Sequence, residues 1–370
     1  MSSRLLSAVL VGLAVLLTVS CSDDNGVKPR LHQPVSHLVR PDGTGDFPTI
    51  QKAINAAADG DTIELADGTF AGEGNCEISY LEKAIVVRSQ SGDPQACILG
   101  CEGGRSVGIH FGSDLGPQAV LRGVTIANAA RTGDGGAVYC KGSSPTLIDC
   151  CFSKNEASNG AGMYCTGGAS PTLIGCSFSE NMATFRGGGI YCIYSSSPTF
   201  IDCTFTGNRA GAEGGAIICL GSSTLTFTNC TFVGNRASYG GAANCVGSSL
   251  TFTNCTLVGN HAVDAAGGIY HIESPLVLDN TIIAFGTGGE AVCSFRSAAF
   301  VTCCNIFGNE GGDWTGCLEN QDGIEIYGNI SADPLFCDPE NHDFRLRPAS
   351  PCSPDSSWCG LVGAWPVGCE

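Results

Sequence analysis

Cysteine is the residue type whose spacing first suggests chemistry in this chain, because 23 of its 370 residues are Cys. Many of them fall in two columns that recur every 25 to 27 residues and then skip one repeat. The first column is Cys140, Cys165, Cys192, Cys219, Cys245 and Cys293, and the second is Cys150, Cys176, Cys203, Cys230, Cys255 and Cys304. Regularly spaced thiols could form disulfides or bind zinc, but the columns lack the short C-x-x-C pairing of structural zinc sites.

The repeat that both columns skip holds His271 and Asn280 at the equivalent positions. A zinc site there would need His271 and two neighbouring thiolates, and Cys245 and Cys293 flank it in the column. The pattern favours a simpler interpretation, in which His271 and Asn280 satisfy each other inside the core or the coil is locally distorted. We therefore predict no metal site.

Four tyrosines form a further column, because each directly precedes the first-column position of its repeat: Tyr139, Tyr164, Tyr191 and Tyr270. If the cysteines point inward, these rings point outward and could support the apolar faces of sugar rings. The alternative is a cross-strand aromatic ladder that neighbouring loops cover and that binds nothing. The four tyrosines are the candidate carbohydrate-binding residues.

Charged side chains recur without forming a catalytic set. Asp149, Asp202 and Asp279 are predicted to stack just before the second cysteine, as a calcium cluster would require. Glycine or asparagine holds that position in other repeats, which is typical of a bend (Gly175, Asn229 and Asn254). Calcium is therefore a cofactor that no motif supports, and we assign no cofactor.

Two arginines recur just after the asparagine of their repeats, Arg209 and Arg236, and their counterparts elsewhere are Glu156, Met182 and His261. This scatter of residue types predicts a solvated face rather than a cleft. Because no nucleophile or acid and base pair stands out, the catalytic residues remain unassigned.

The elements that position these residues follow from the repeat, which reads G-[GA]-[GA]-x-x-C, nine or ten residues, then C-x-[FL]-x-x-N-x-A. Its apolar segments are rich in Thr, Phe and Ile and alternate with a period of two, whereas a sustained 3.6-residue period is absent. We predict an all-β fold, a single-stranded right-handed parallel β-helix with three short strands in each coil of about 26 residues.

In such a coil the column cysteines face inward and stack on one another. Neighbours in a column lie about 4.8 Å apart, beyond the Cβ separation of about 3.5–4.5 Å that a disulfide uses, so we predict buried thiols. An asparagine five residues after the second cysteine is predicted to form an amide ladder at a turn. Disulfides are predicted near the C-terminus, with Cys352 and Cys359 or Cys337 and Cys369 as alternative pairs.

Residues 1–21 form a predicted export signal, with Arg4 before an apolar run that is too short to span a membrane. Its end resembles a bacterial lipoprotein signal, which makes Cys21 the candidate lipidation residue. Residues 22–36 form a predicted polar linker, 37–66 an N-terminal cap with a short helix, 67–330 the β-helix and 331–370 a cysteine-rich C-terminal cap. The helix is predicted from Thr49 to Ala57, where it covers the open end of the first coil.

Composition limits the partners. The formal net charge of −17 argues against nucleic acid, which requires a basic face. The same charge disfavours polyanionic sugars unless calcium bridges them.

The segment from Pro41 to Ala57, P-D-G-T-G-D-F-P-T-I-Q-K-A-I-N-A-A, resembles the start of pectinesterases and of secreted bacterial right-handed β-helix repeat proteins. The Cys and Asn repeats, with D-P-L-F-C, S-P-C and C-G-L-V-G-A near the end, resemble the second group, whose fold is the pectin lyase-like β-helix. Pectinesterases carry a catalytic Asp within Q-D-T. Gln321 and Asp322 form the single Gln-Asp pair and lack the following Thr, so the esterase mechanism is not transferred.

Two function classes follow. The favoured prediction is an exported, non-catalytic surface, adhesion or glycan-binding protein, lipid-anchored in the cell envelope or extracellular. The alternative is a carbohydrate-active enzyme, a polysaccharide lyase, glycoside hydrolase or pectinesterase-like protein. The predicted partner is a polysaccharide or cell-surface glycan, with membrane contact through an N-terminal lipid, and the protein is predicted to be a monomer.

Overall fold

The computed structural model describes residues 32–101, 107–319 and 327–369, and those from Pro34 onward form one compact unit. Its strands stack coil upon coil, each paired in parallel and in register with its copy in the next coil. The predicted all-β parallel β-helix is confirmed. Among the described residues, no helix is long and apolar enough to cross a membrane.

One face, which we call the threonine sheet after its outward Thr residues, has 11 strands. In the central strands its inward positions carry leucine and phenylalanine, which alternate with those threonines. The strands are Ser36–Val39, Thr62–Leu65, Val86–Ser89, Val120–Arg122, Thr146–Ile148, Thr172–Ile174, Thr199–Ile201, Thr224–Thr228, Ser249–Thr253, Leu276–Asp279 and Ala299–Thr302.

The next face is the phenylalanine sheet, which has 10 strands and follows the second cysteine of each repeat. Its phenylalanines stack inside the coil with nearly parallel rings, as in the pair Phe178 and Phe205 at 5.0 Å between centroids. The strands are Gly68–Phe70, Cys97–Gly100, Thr125–Ala127, Cys151–Ser153, Ser177–Ser179, Thr204–Thr206, Thr231–Val233, Thr256–Val258, Ile282–Ala284 and Asn305–Phe307.

The cysteine sheet carries the first cysteine column and has nine strands. Its cysteines from Cys140 to Cys245 are buried free thiols, as are the cysteines of the second column, so the prediction of unpaired column cysteines is confirmed. The strands are Ile78–Ser79, Ile109–Phe111, Val138–Lys141, Met163–Thr166, Ile190–Cys192, Ile217–Leu220, Ala243–Val246, Ile269–Ile272 and Val292–Phe295.

A fourth short strand in five coils adds to the three that the sequence predicts. We call this face the alanine sheet, and its strands are Glu156–Asn159, Met182–Arg186, Arg209–Ala210, Arg236–Tyr239 and His261–Ala265. Backbone pairing continues past the turn because the residue after the asparagine donates its N–H to the carbonyl at the asparagine position of the preceding coil, as Arg236 does to Asn208 at 2.9 Å. The sequence predicts an asparagine turn followed by a solvated face here, and the fourth strand was not predicted.

The asparagine ladder is confirmed and fully buried. Asn208 accepts hydrogen bonds at Oδ1 from the side chain and the backbone N–H of Asn181 at 2.9 and 3.2 Å. Its Nδ2 donates to Oδ1 of Asn235 at 3.0 Å and to the carbonyl of Phe178 at 2.9 Å. Each amide thus ties three consecutive coils together and fixes the start of the alanine sheet.

The irregular coil is one residue out of the register that cysteine spacing predicts. His271 aligns with Cys245, but its partner in the next coil is Ser294, so Cys293 lies beside Tyr270 on the outward side. Placing Cys293 in the inward column was therefore wrong. The cysteine spacing misplaced Cys293 because this coil is shorter than the others. Thr281 and its aligned partner Cys304 are separated by 23 residues.

The second column shows the same slip. Thr281, rather than Asn280, occupies the cysteine position, and its hydroxyl accepts the backbone N–H of Cys255 at 3.3 Å. Asn280 instead holds the bend position, with φ of 49°, and Asp279 pairs with Thr253 one step earlier. The predicted stacking of Asp279 with Asp149 and Asp202 is corrected accordingly.

The short helix Ile50–Ala56 covers one end of the stack, close to its predicted bounds. The Thr49 hydroxyl caps it by accepting the backbone N–H of Lys52, and Ile50, Ala53 and Ile54 are buried in the main core. Apolar burial by this face explains why the helix forms despite its length of seven residues.

The C-terminal segment lies along the side of the stack. The backbone N–H of Ala364 donates to the Thr256 hydroxyl, and the indole N–H of Trp365 donates to that of Thr231, both at 2.9 Å and both on the outside of the phenylalanine sheet. The segment contains the 3-10 helix Pro339–Asn341 and the antiparallel strands Phe336–Asp338 and Asp343–Leu346, while the 3-10 helix Gly316–Leu318 precedes it.

Three disulfides form outside the two columns: Cys76–Cys101, Cys303–Cys359 and Cys337–Cys369. Of the two predicted alternatives, Cys337–Cys369 is confirmed. The predicted pairing of Cys352 with Cys359 is wrong, because Cys359 forms its disulfide with Cys303 and Cys352 is a buried free thiol.

Candidate functional site

A groove of about 870 Å³ runs over the outside of the alanine sheet, across successive coils. Two columns of outward side chains line it, separated by a column of buried alanines. The lining residues are Ala130, Arg131, Thr132, Glu156, Ala157, Ser158, Met182, Ala183, Thr184, Arg209, Ala210, Gly211, Arg236, Ala237, Ser238 and Val263.

The first column follows the asparagine ladder and forms one side of the groove. Its members are paired in register from coil to coil: Glu156, Met182, Arg209, Arg236 and His261. The sequence analysis singled out Arg209 and Arg236 but predicted a solvated face instead of a cleft. Both side chains are exposed, as a solvated face requires, but they also line the groove. The depth of a surface depends on neighbouring segments, which residue types at one position do not encode.

The second column presents hydroxyl groups, with Ser158, Thr184 and Ser238 in three of the coils. Beyond it stand partly solvated apolar side chains. Phe185 is 58% exposed, Tyr239 37% and Val263 58%. The groove therefore combines cations, hydroxyls and apolar surface along one direction, which is the mixture that sugar recognition uses.

Polar side chains continue past this edge toward the cysteine sheet. Nε of Arg186 lies 2.8 Å from the carboxylate of Glu213, and Nδ2 of Asn159 donates to Asp134 at 2.8 Å. These pairs connect neighbouring coils, because each partner sits one coil from the other. These two pairs stabilise the turn between the groove and the tyrosine column.

The tyrosine column is a stacked ladder. Tyr164 packs between Tyr139 at 5.3 Å and Tyr191 at 5.1 Å, with ring planes 12° and 8° apart. Tyr164 is 8% and Tyr191 6% exposed. The rings turn their faces toward each other along the stack, so Tyr164 has no free face on which a sugar could lie.

Burial raises the pKa of the Tyr164 phenol, and the neighbouring Asp134 carboxylate raises that pKa further. The hydroxyl therefore stays protonated and faces the carboxylate. Tyr139 and Tyr270 are half-buried, and Tyr270 lies apart from the ladder, paired with Tyr239 at 5.5 Å between ring centroids. Sugar binding by these four tyrosines stays a prediction.

His271 is buried inside the cysteine sheet, where its Nδ1 lies 2.9 Å from the carbonyl of Ser274 and its Nε2 3.8 Å from Sγ of Cys317. Burial lowers the pKa of its imidazole. The expected hydrogen bond to Asn280 does not form, because Asn280 lies at the bend. Among the described residues, no group of three His, Cys, Asp or Glu side chains is placed to hold a metal ion.

Asp149 and Asp202 stand at the bend before the second cysteine, with φ of 52° and 54°, as the turn interpretation predicts. Asp202 accepts a hydrogen bond from Nδ2 of Asn229 at 3.0 Å, and Asp149 lies 3.9 Å from Nε of Arg122. Cys21 and the pair Gln321 and Asp322 lie outside the described residues.

His261 ends the first column of the groove and offers a titration test. Burial and the neighbouring Arg236 cation lower the pKa of its imidazole below 6.5, while Glu310 opposes them. We expect NMR titration to give a midpoint below 6.5 and the R236Q variant to raise it partway, because burial remains. K154Q removes a cation elsewhere and should leave the midpoint unchanged. An unchanged midpoint in R236Q would contradict the placement of Arg236 beside this ring.

Residues 105–281 match the family described as a right-handed β-helix region. A solved pectate lyase structure is 13% identical, with 92% of this chain and 98% of that chain aligned at a TM-score of 0.58. A rhamnogalacturonan lyase is 13% identical over 89% of this chain and 95% of its own, at a TM-score of 0.47. No curated protein matches the sequence. At such identities the likeness shows a shared fold.

Proposed function

We propose that this right-handed parallel β-helix repeat protein is an exported protein that acts on polysaccharides and holds a sugar chain in the groove of the alanine sheet. The observation that carries the proposal is the groove itself, about 870 Å³ in volume and extended over successive coils. An extended polymer lying along the stack would meet the same kind of side chain every ~4.8 Å, the spacing between neighbouring strands.

The chemistry of the groove supports a sugar as the occupant. Hydroxyls of Thr184 and Ser238 can exchange hydrogen bonds with sugar hydroxyls, and the exposed side chains of Phe185 and Tyr239 can cover apolar ring faces. A peptide strand would instead need an unpaired sheet edge. The alanine sheet is paired internally from coil to coil, so the groove offers side chains and little free backbone.

The names of the fold neighbours favour an enzyme over a passive binder. The solved structure that carries this argument is a pectate lyase, which aligns along nearly its whole length. We therefore place a carbohydrate-active enzyme of the lyase type before the non-catalytic module that the sequence favoured. The binding module remains the second candidate, because Glu156 is the one carboxylate among the residues that line the groove.

Export is supported by the three disulfides, which persist in oxidising compartments. Lipidation of Cys21, release by cleavage, and a monomeric state remain proposals. Sugar binding by the tyrosine column is now proposed only for Tyr139 and Tyr270. These two are half-buried, whereas Tyr164 and Tyr191 are enclosed by the ladder.

Blocking the groove tests the proposal. Thr184 lines it and points outward, so T184W should fill the space between the two columns and lower polysaccharide affinity by about tenfold or more, equivalent to at least ~1.4 kcal/mol. T226W, on the outward side of the threonine sheet, is the matched control and should retain binding. Binding would be measured on a panel of soluble acidic and neutral polysaccharides, with product release followed in the same samples.

Turnover distinguishes the two candidate functions, a lyase and a non-catalytic binding module. Release of unsaturated oligosaccharides, lost in T184W, supports the lyase. Binding without product supports the non-catalytic module. If T184W and the T226W control bind equally well, the groove is not the site.

A further inference from the structure

Three arginines line the groove: Arg131 donates to the carbonyl of Asp134 and lies over the Tyr139 ring, whereas Arg209 and Arg236 extend into solvent. Elsewhere, five arginines form ion pairs with carboxylates: Arg88 with Glu64, Arg122 with Asp149, Arg186 with Glu213, Arg296 with Glu273 and Arg345 with Asp343. Arg209 and Arg236 are exposed and form no ion pair within the part of the chain that the structure describes. Their guanidinium groups are thus available to a ligand.

The same two arginines also face each other. Arg209 and Arg236 are direct partners across neighbouring strands, so their backbones lie ~4.8 Å apart, and like charges at such positions oppose each other. The chain has 35 acidic residues against 18 basic ones, so carboxylate partners are plentiful. An adjacent, unpaired cation pair in so acidic a protein creates a local positive potential that an anion would relieve.

The groove is suited to a carboxylate in particular. Guanidinium groups bind carboxylates through two parallel hydrogen bonds, which fixes orientation as well as adding affinity. On the opposite side, Thr184 and Ser238 present hydroxyls rather than charges, and Met182 continues the arginine column with an apolar side chain. One region of the groove therefore recognises acidic groups, while the remainder meets hydroxyls and ring faces.

We propose that Arg209 and Arg236 select a carboxylate-bearing polysaccharide, each guanidinium holding the acid group of a different sugar along the same chain. This inference rests on the proposed function and narrows it to acidic glycans. The spacing between neighbouring coils is close to the length of one sugar unit in an extended chain, so two nearby units can meet the two arginines at once. The overall negative charge, which led the sequence analysis to disfavour polyanions, does not oppose binding here, because the local cations are unpaired and distant exposed charges are screened by salt.

The test compares the full chain with R209Q/R236Q and with the control R122Q/R296Q, which removes two cations that already have carboxylate partners. The probes are polygalacturonate, its methyl-esterified form and dextran sulfate. We expect the wild-type protein to bind polygalacturonate at least about tenfold more tightly than the ester, and R209Q/R236Q to lose that preference. The control should keep it, and added NaCl should weaken wild-type binding.

Equal affinity of the wild-type protein for the acid and the ester would overturn the inference, as would an unchanged preference in R209Q/R236Q. Tighter binding of dextran sulfate than of polygalacturonate would overturn the assignment to carboxylates. If a neutral polysaccharide binds and T184W abolishes that binding, the acidic specificity fails while the proposed function stands. If none of the acidic or neutral polymers binds, the proposed function fails as well.

Discussion

Replacing Asn208 by alanine is expected to lower the free energy of unfolding by about 3 kcal/mol or more. The amide is buried and exchanges five hydrogen bonds through its side chain and its backbone N–H with Asn181, Asn235 and Phe178. Truncation removes the acceptor of two N–H groups of Asn181 and one donor to the carbonyl of Phe178. Each unsatisfied buried group costs roughly 1–3 kcal/mol.

Thr206 provides the matched control, because it lies on the same coil and points outward from the phenylalanine sheet. T206A should change stability by less than about 0.5 kcal/mol, as is usual for substitutions near the surface. Both variants would be compared by urea denaturation followed by circular dichroism. A loss below about 1 kcal/mol in N208A would show that the ladder contributes far less than its hydrogen bonds imply.

The ladder also bears on the groove. The carbonyl of Asn208 accepts the backbone N–H of Arg236, so the turn that the amide stabilises sets where the arginine strand begins. Asn181 binds Arg209 in the same way. In folded N208A protein the two arginines are therefore expected to be less well ordered. One backbone hydrogen bond per coil links the stability of the turn to the geometry of the binding surface.

The regular part of the fold could be predicted from sequence because every coil repeats the same constraints. A buried thiol, a stacked phenylalanine and a ladder asparagine recur at fixed offsets, and each offset determines which side chains point inward. The column cysteines, with the exception of Cys293, and the asparagine ladder were placed correctly on that basis. Periodicity supplies independent copies of the same observation, and agreement among the copies fixes the register.

The candidate site could not be predicted in the same way. Arg209 and Arg236 were noticed, but residues in six different coils decide that their surface is a groove. Pairing in the irregular coil depends on its shortened length, so counting from Cys245 placed Cys293 one position off. The tyrosine column was found, yet the direction of the ring faces follows from stacking against neighbours, which the residue type alone does not specify.

The second large effect is expected from F205A. Phe205 is fully buried, stacks on Phe178 and Phe232 at 5.0 and 4.6 Å, and meets the edges of Phe200 and Phe227 from the facing sheet. Removing the ring interrupts the stack at its centre and leaves a cavity that these rigid neighbours cannot fill, since each is held by its own copies above and below. Such truncations cost about 3–5 kcal/mol.

The loss should be local along the stack. Each coil of a solenoid contacts chiefly its neighbours, so hydrogen exchange in F205A should accelerate in the coils of Phe178 and Phe232 more than around the helix Ile50–Ala56. F185A removes the same side chain from an exposed position beside the groove and should leave exchange in those coils unchanged. Uniform acceleration along the whole chain in F205A would instead indicate that all coils open as one cooperative unit. In that case the groove would be lost together with the core, whereas local opening predicts weaker polysaccharide binding at native-like stability of the N-terminal coils.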